Sequence, residues 1–311
     1  VVLLELTLRV SAELPSMPGV AFTPGMAEIS WAAPTNDLRE SLWIYRSVKQ
    51  EISPTVISNL LWLGGFTKAD VRKPPSDMYA IKDRDALYCE KNQLKQRLVI
   101  FPSVGFIEYS DEAAADRRKG IASTVPSEEE AFHLALKCLR FVGADSSQIP
   151  LKPGTTNLQY FRTKQTYSYP DKQTGERIEK LVLRGVCFGR WIDRIPFNGI
   201  GTEGGAMFDF GAESKVSKLQ INWRQFQPER LVAWPTPEQF IERMQRGLAK
   251  AVELPPAEIK KVKIIGASPF YRGLSEEEKQ PFLYPFAQLD LVVETVETNQ
   301  LLHITCPIAM Q

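Results

Sequence analysis

Histidine is scarce in this chain: two in 311 residues. His133 falls inside a helical pattern and His303 near the C-terminus, so any Ser–His or Cys–His couple has to use one of them. Cys306 is close to His303, but positions i and i+3 of a strand face opposite ways. The four cysteines, Cys89, Cys138, Cys187 and Cys306, include no Cys-x-x-Cys pair. With so few ligand types and no ligand spacing, no metal site is expected. The thiols read as small buried hydrophobes, with one disulfide allowed if the protein is exported. No Asn-x-Ser/Thr sequon occurs. A basic surplus is missing too, since 38 basic against 37 acidic residues leave +1, and no nucleic-acid partner is expected. No apolar run reaches the roughly 18 residues of a membrane span. Residues 1–10 read as a strand and make a poor signal peptide, lacking a basic start and a small-residue cleavage site. The chain begins with Val1, as a processed or truncated product would.

What is present is a repeated helix start. Ser127-Glu128-Glu129-Glu130 and Thr236-Pro237-Glu238-Gln239 both have the form of a capping box, in which the Ser/Thr oxygen accepts from a free N–H and the Glu/Gln reaches back to the cap. The first predicts a helix to about Val142, with Ala131, Leu134, Ala135, Cys138 and Leu139 on one face and Gly143 after it. The second carries Phe240, Ile241, Met244 and Leu248 at helical spacing. A third helix is predicted from Ser53-Pro54 to Leu63, ended by Gly64-Gly65.

Strand patterns surround these helices at 42–45, 86–89, 98–101, 106–109, 158–169, 178–195, 206–210, 216–223, 262–265, 286–295 and 301–306. Residues 11–40 read as extended, and turns are predicted at 102–105, 171–175 and 211–214. Too many strands follow one another without a helix between them for a doubly wound parallel sheet. The expected class is α+β, as tandem units of antiparallel sheet with helices on one face. Lys152-Pro153-Gly154, within 150–157, is the best linker, which gives domains of 1–150 and 151–311.

Chemistry is harder to find. Gly199-Ile200-Gly201-Thr202-Glu203-Gly204 spells G-x-G-x-x-G, but a strand rather than a helix follows, so the glycines read as a loop and no cofactor is expected. Asp193, Glu203 and Asp209 fall in one β region beside Arg190 and Arg194, and are the candidates for a paired-carboxylate acid/base hydrolase; solvated strand faces are the plainer reading. Tyr160-Phe161-Arg162-Thr163-Lys164 and Arg190-Trp191 interleave aromatic and basic residues, as a stacking platform would, or as a strand with one buried and one wet face would.

The stretch Phe188–Gly199, followed by Phe208-Asp209-Phe210 and the Glu213–Val216 turn, resembles the strand-and-turn unit of PepSY-type domains and thermolysin/fungalysin propeptides. Leu283-Tyr284-Pro285-Phe286 and Thr305-Cys306-Pro307-Ile308 are similar to closing strands of YycH/YycI-type extracytoplasmic regulators. The resemblance spans about 95–308 in two copies and departs at Arg194, where Gly is usual. It implies an exported, non-enzymatic module that binds or restrains a protein partner, and it transfers no catalytic residue. The alternatives from the sequence are a subunit that assembles with copies of itself, and the carboxylate hydrolase.

Overall fold

The computed structural model describes residues 19–34, 39–49, 51–75, 85–93, 95–114, 124–171, 173–197, 205–255, 258–273 and 280–309. The strand expected at 1–10, Glu203 and the G-x-G-x-x-G segment lie outside them. The fold is mixed and predominantly β-sheet, with three α-helices among the described residues. The chain divides into two units that interleave in sequence. One comprises Val1–Arg46, Pro228–Arg272 and Phe282–Gln311; the other comprises Ser47–Gln227 and Gly273–Pro281. The cut expected at residue 150 therefore falls inside the second unit. The stretch read as a linker is a tight turn there, closed by a bridge between Leu151 and Leu158.

The second unit is built on an eight-stranded antiparallel sheet. Its strands, in spatial order, are β4 (Val71–Arg72), β5 (Leu87–Lys91), β6 (Gln96–Phe101), β7 (Phe106–Asp111), β13 (Val216–Asn222), β12 (Ala206–Phe210), β9 (Arg177–Phe188) and β8 (Phe161–Pro170). Period-2 alternation places Leu98, Ile107, Tyr109, Leu219, Phe208 and Val186 on one face. The helices α1 (Pro54–Leu63) and α2 (Glu128–Phe141) pack there through Leu60, Ala131, Ala135 and Leu139, all in one buried cluster. A smaller cluster on the other side holds Tyr88, Val99, Phe101, Val104 and Phe106. A short hairpin, β10 (Arg190–Ile192) with β11 (Ile195–Phe197), also belongs to this unit.

In the first unit the order is β1 (Val20–Ala21), β15 (Lys250–Ala251), β19 (Asn299–Pro307), β18 (Pro285–Thr295) and β16 (Ile259–Tyr271), and β2 (Glu28–Trp31) runs parallel to β16. A three-stranded sheet adds β14 (Gln225–Ala233), β3 (Ser41–Val48) and β17 (Phe282–Leu283). The helix α3 (Pro237–Gln245) buries Phe240, against which Trp31 stacks and Trp234 packs edge-on. Arg243 of α3 donates from Nη1 to the carbonyls of Pro307 (2.6 Å) and Ile308 (3.1 Å), tying down the end of β19.

Both capping boxes form with both bonds. Glu130 N–H donates to Ser127 Oγ and Ser127 N–H to Glu130 Oε2; Gln239 N–H donates to Thr236 Oγ1 and Thr236 N–H to Gln239 Oε1. The boxes recur, one per unit, but the strand orders around them differ. At the end of α1, Gly65 takes a φ of +57°, and Phe66 N–H returns to the Leu61 carbonyl.

Candidate functional site

The three candidate carboxylates have different fates. Glu203 is outside the described residues. Asp193 is exposed in the turn of the β10–β11 hairpin, with φ +50°. Asp209 sits mid-strand in β12 on the face away from the helices, half-buried, opposite Lys218 of β13 and Gly185 of β9. A Cβ on Gly185 would overlap both Thr163 Oγ1 and Asp209 Oδ1, so this strand glycine makes the room in which the carboxylate lies. Burial pushes the Asp209 carboxyl above the usual carboxylate range, against the opposing charge of Lys218. The half-buried strand position of Asp209 and the exposed turn of Asp193 belong to separate elements.

Neither histidine completes a nucleophilic couple with a cysteine. His133 lies on the exposed side of α2, 3.8 Å from Glu129 one turn earlier. His303 Nδ1 lies 2.7 Å from Asp290 Oδ1, across from it on β18. All four cysteines are free. Burial pushes the thiol of Cys138 up to about 11 and that of Cys306 up to about 12, the latter against the charge of Arg243. Cys89 and Cys187 are raised by burial too. A nucleophilic thiol needs the opposite shift. Among the described residues no group of three His, Cys, Asp or Glu side chains is placed to hold a metal ion.

The two aromatic–basic stretches behave differently from each other. Tyr160 turns inward and stacks on Phe132 of α2 with ring centroids 4.4 Å apart, and Lys152 Nζ lies 4.6 Å from the centroid of the Tyr160 ring. Arg162 pairs with Glu128 at the start of α2. From Phe161 to Thr166 every residue of β8 is exposed, Phe161 to 61%. That is not a strand with one dry face. Among the described residues it is an edge: β8 ends the sheet order and has β9 on one side only.

In Arg190-Trp191 the polarity is inverted, with Trp191 37% exposed and Arg190 only 2%. Arg190 shares its strand parity with Phe188 and Ile192, both buried, and that parity is the signal in the sequence that marks it as internal. Its guanidinium carbon lies 5.1 Å from the centroid of Trp223, 5.4 Å from Phe226 and 5.7 Å from Phe197. Nε donates to Gln148 Oε1 at 2.6 Å. Asp145 acts on it through charge alone, its own carboxylate accepting from Ser147 N–H at 2.9 Å. Burial lowers the guanidinium pKa to about 9, Asp145 opposing, so the group is a cation at neutral pH. Arg190 Nη1 and Trp223 Nε1 are both buried donors without an acceptor among the described residues.

No protein-family model matches the chain, and no curated protein matches it. A solved structure, that of an uncharacterized protein from Eubacterium rectale, is similar with a TM-score of 0.43 at 11% identity, covering 90% of this chain and 86% of that one. That likeness carries no functional argument. No helix of the described residues is long and apolar enough to cross a membrane.

Proposed function

We propose that this protein is a non-enzymatic binding module, in tandem α+β units, that captures an extended segment of another protein along the free edge of β8. The observation that supports it is a ten-residue terminal strand whose first six side chains are exposed. An edge strand presents unpaired N–H and C=O groups, which an incoming strand satisfies while side-chain pockets select its sequence. Edges are normally blunted by lysine, proline or a bulge. Here Pro170 and the register shift at Gln165/Thr166 blunt the far half, while Phe161–Gln165 keeps a regular backbone edge guarded by the charged Arg162 and Lys164. Phe161 offers an apolar contact, and Lys164 favours an acidic residue in the guest. The exported, regulatory setting implied by the PepSY-type resemblance is part of the same reading.

Along an antiparallel strand, successive residues direct their N–H groups alternately to one neighbour and the other. Of Thr163 and Lys164, one therefore donates to β9 and the other to the free edge. Peptides selected from a random displayed library on the whole protein provide the probe. One of Thr163→Pro and Lys164→Pro should weaken binding by about tenfold or more, the scale of a lost main-chain hydrogen bond and its clash, with the melting temperature unchanged. The other should mainly lower stability. A library that yields no binder, or binders indifferent to both substitutions, removes the proposal. A concentration-dependent dimer broken by the same variant would assign the edge to self-assembly.

A further inference from the structure

The interior of the second unit holds a cation with an unfinished set of partners. The guanidinium carbon of Arg190 lies 5.1–5.7 Å from the centroids of three aromatic rings, whose π faces attract a cation. Its five N–H donors lie in the guanidinium plane. One edge of that plane is closed by Gln148 through Nε. On another edge Nη1 meets nothing, and within the same aromatic enclosure the indole Nε1–H of Trp223 meets nothing. Leaving a buried donor unmade is expensive, and more so for a charged one. The nearby carboxylate of Asp145 is occupied at the start of the Ser146–Gln148 turn and makes no hydrogen bond to the arginine. Asn222 Nδ2 is also unpartnered, but it is the neighbouring residue of Trp223 in the chain and faces the other side of β13.

With the guanidinium carbon 5.1 Å from the indole centroid, the two orphaned donors belong to side chains in direct contact. With Arg190 only 2% exposed the missing partner must be small, and since among the described residues no carboxylate hydrogen-bonds Arg190, it is expected to carry negative charge. We propose that Arg190 and Trp223 form an internal binding site for a compact monovalent anion, held by Arg190 Nη1–H and Trp223 Nε1–H. Chloride and a small carboxylate have this chemistry in common. Neutral acceptors such as water satisfy the donors and leave the charge unbalanced. The sequence departs from its own strand pattern here, placing an arginine where Phe188 and Ile192 bracket it with apolar side chains, and an anion accounts for that departure.

Ligand binding to the native state raises the melting temperature in a saturable way. The full chain is melted while sodium chloride, or separately sodium acetate, replaces a bulky sulfonate salt at constant ionic strength. The wild type is expected to gain several degrees with a defined midpoint concentration. Arg190→Met, which keeps the volume and removes the charge, should show no dependence. Trp223→Phe, which keeps a ring over the arginine and removes one donor, should move the midpoint about fivefold higher. A response to chloride alone identifies a halide site, a response to acetate alone a carboxylate site, and a response to both a site for either; each supports the proposal. A flat wild-type curve overturns it, as does an equal rise in Arg190→Met. If Arg190→Met does not fold, an unchanged midpoint in Trp223→Phe overturns it.

Discussion

At the scale of single residues, Asp209 and Arg190 show how a charge comes to lie inside a sheet protein. Asp209 has a room made for it by Gly185 and a counter-charge across the strand in Lys218. Burial still outweighs Lys218, since the carboxyl pKa is raised. The folded protein then holds this proton more tightly than the unfolded chain does. Stability is lost as pH climbs from the ordinary carboxylate value, near 4, through the raised one. Asp209→Asn is expected to raise stability at pH 7, a tenfold change in proton affinity being worth about 1.4 kcal/mol, and to match the wild type at pH 3, where Asp209 is already neutral. Urea unfolding at the two pH values measures it. A variant no more stable at pH 7 would mean that Lys218 outweighs burial. Asp209 was legible as a candidate because its residue type and strand are visible in the sequence. Its partners were not, because Thr163, Gly185 and Lys218 reach it through sheet register, which spans long separations along the chain. Arg190 was legible only as a member of an aromatic–basic pair, and which of the two turned inward depended on the parity set by Phe188.

Elements were read best where local chemistry alone decides. Ser127/Glu130 and Thr236/Gln239 need only one helical turn, and Gly65 and Gly143, with φ of +57° and +70°, end their helices within two or three residues of the last turn. The strand β14 was missed because Gln225–Ala233 is exposed along most of its length and contains Pro228, so it shows no apolar alternation. The β10–β11 hairpin lies between these cases. Its register, Ile192 opposite Ile195, leaves a two-residue loop of Asp193 and Arg194 with φ of +50° and +62°. Positive φ at both central positions is the type I′ pattern, which favours Asn-Gly or Asp-Gly. Arg194 is the second residue and carries a Cβ in the left-handed region, at a cost of roughly 1–2 kcal/mol. Arg194→Gly therefore converts the loop to the favoured Asp-Gly pair. Part of the gain is offset by the freer unfolded chain, leaving an expected stabilisation of about 0.5–1 kcal/mol. A midpoint of thermal unfolding that stays put or falls would show that the Arg194 side chain holds the hairpin by contacts that offset its backbone strain.

For the whole molecule, the sequence showed two groups of strands and helices but hid how the chain distributes them. A linker is inferred from composition, and Lys152-Pro153-Gly154 has that composition. In the fold it is a surface turn whose flanks, Leu151 and Leu158, pair with each other. The true division depends on β7 meeting β13, more than a hundred residues later, so no local signal marks it. The consequence can be tested by cutting. A fragment of residues 1–150 retains β5, β6 and β7 but loses β8, β9, β12 and β13, and a fragment of 151–311 loses both α1 and α2. Each exposes a large part of the cluster formed by Leu98, Ile107, Leu219 and Phe208, and neither is expected to unfold cooperatively. Residues 47–227 retain all eight strands of that sheet, both helices and the Arg190 enclosure. What they lose is the segment Gly273–Pro281, whose Gln280 accepts from Arg224 at 3.3 Å. This fragment is expected to keep near-ultraviolet circular dichroism and a single thermal transition, with stability lowered by about 1–3 kcal/mol for the hydrogen bond that a buried arginine forfeits. Supplying Gln280 by extending the fragment through residue 281 does not test the same point, because it also restores strand segments of the other unit. If 151–311 folds alone while 47–227 does not, the sheet is not the unit of folding and the division lies in the sequence order after all.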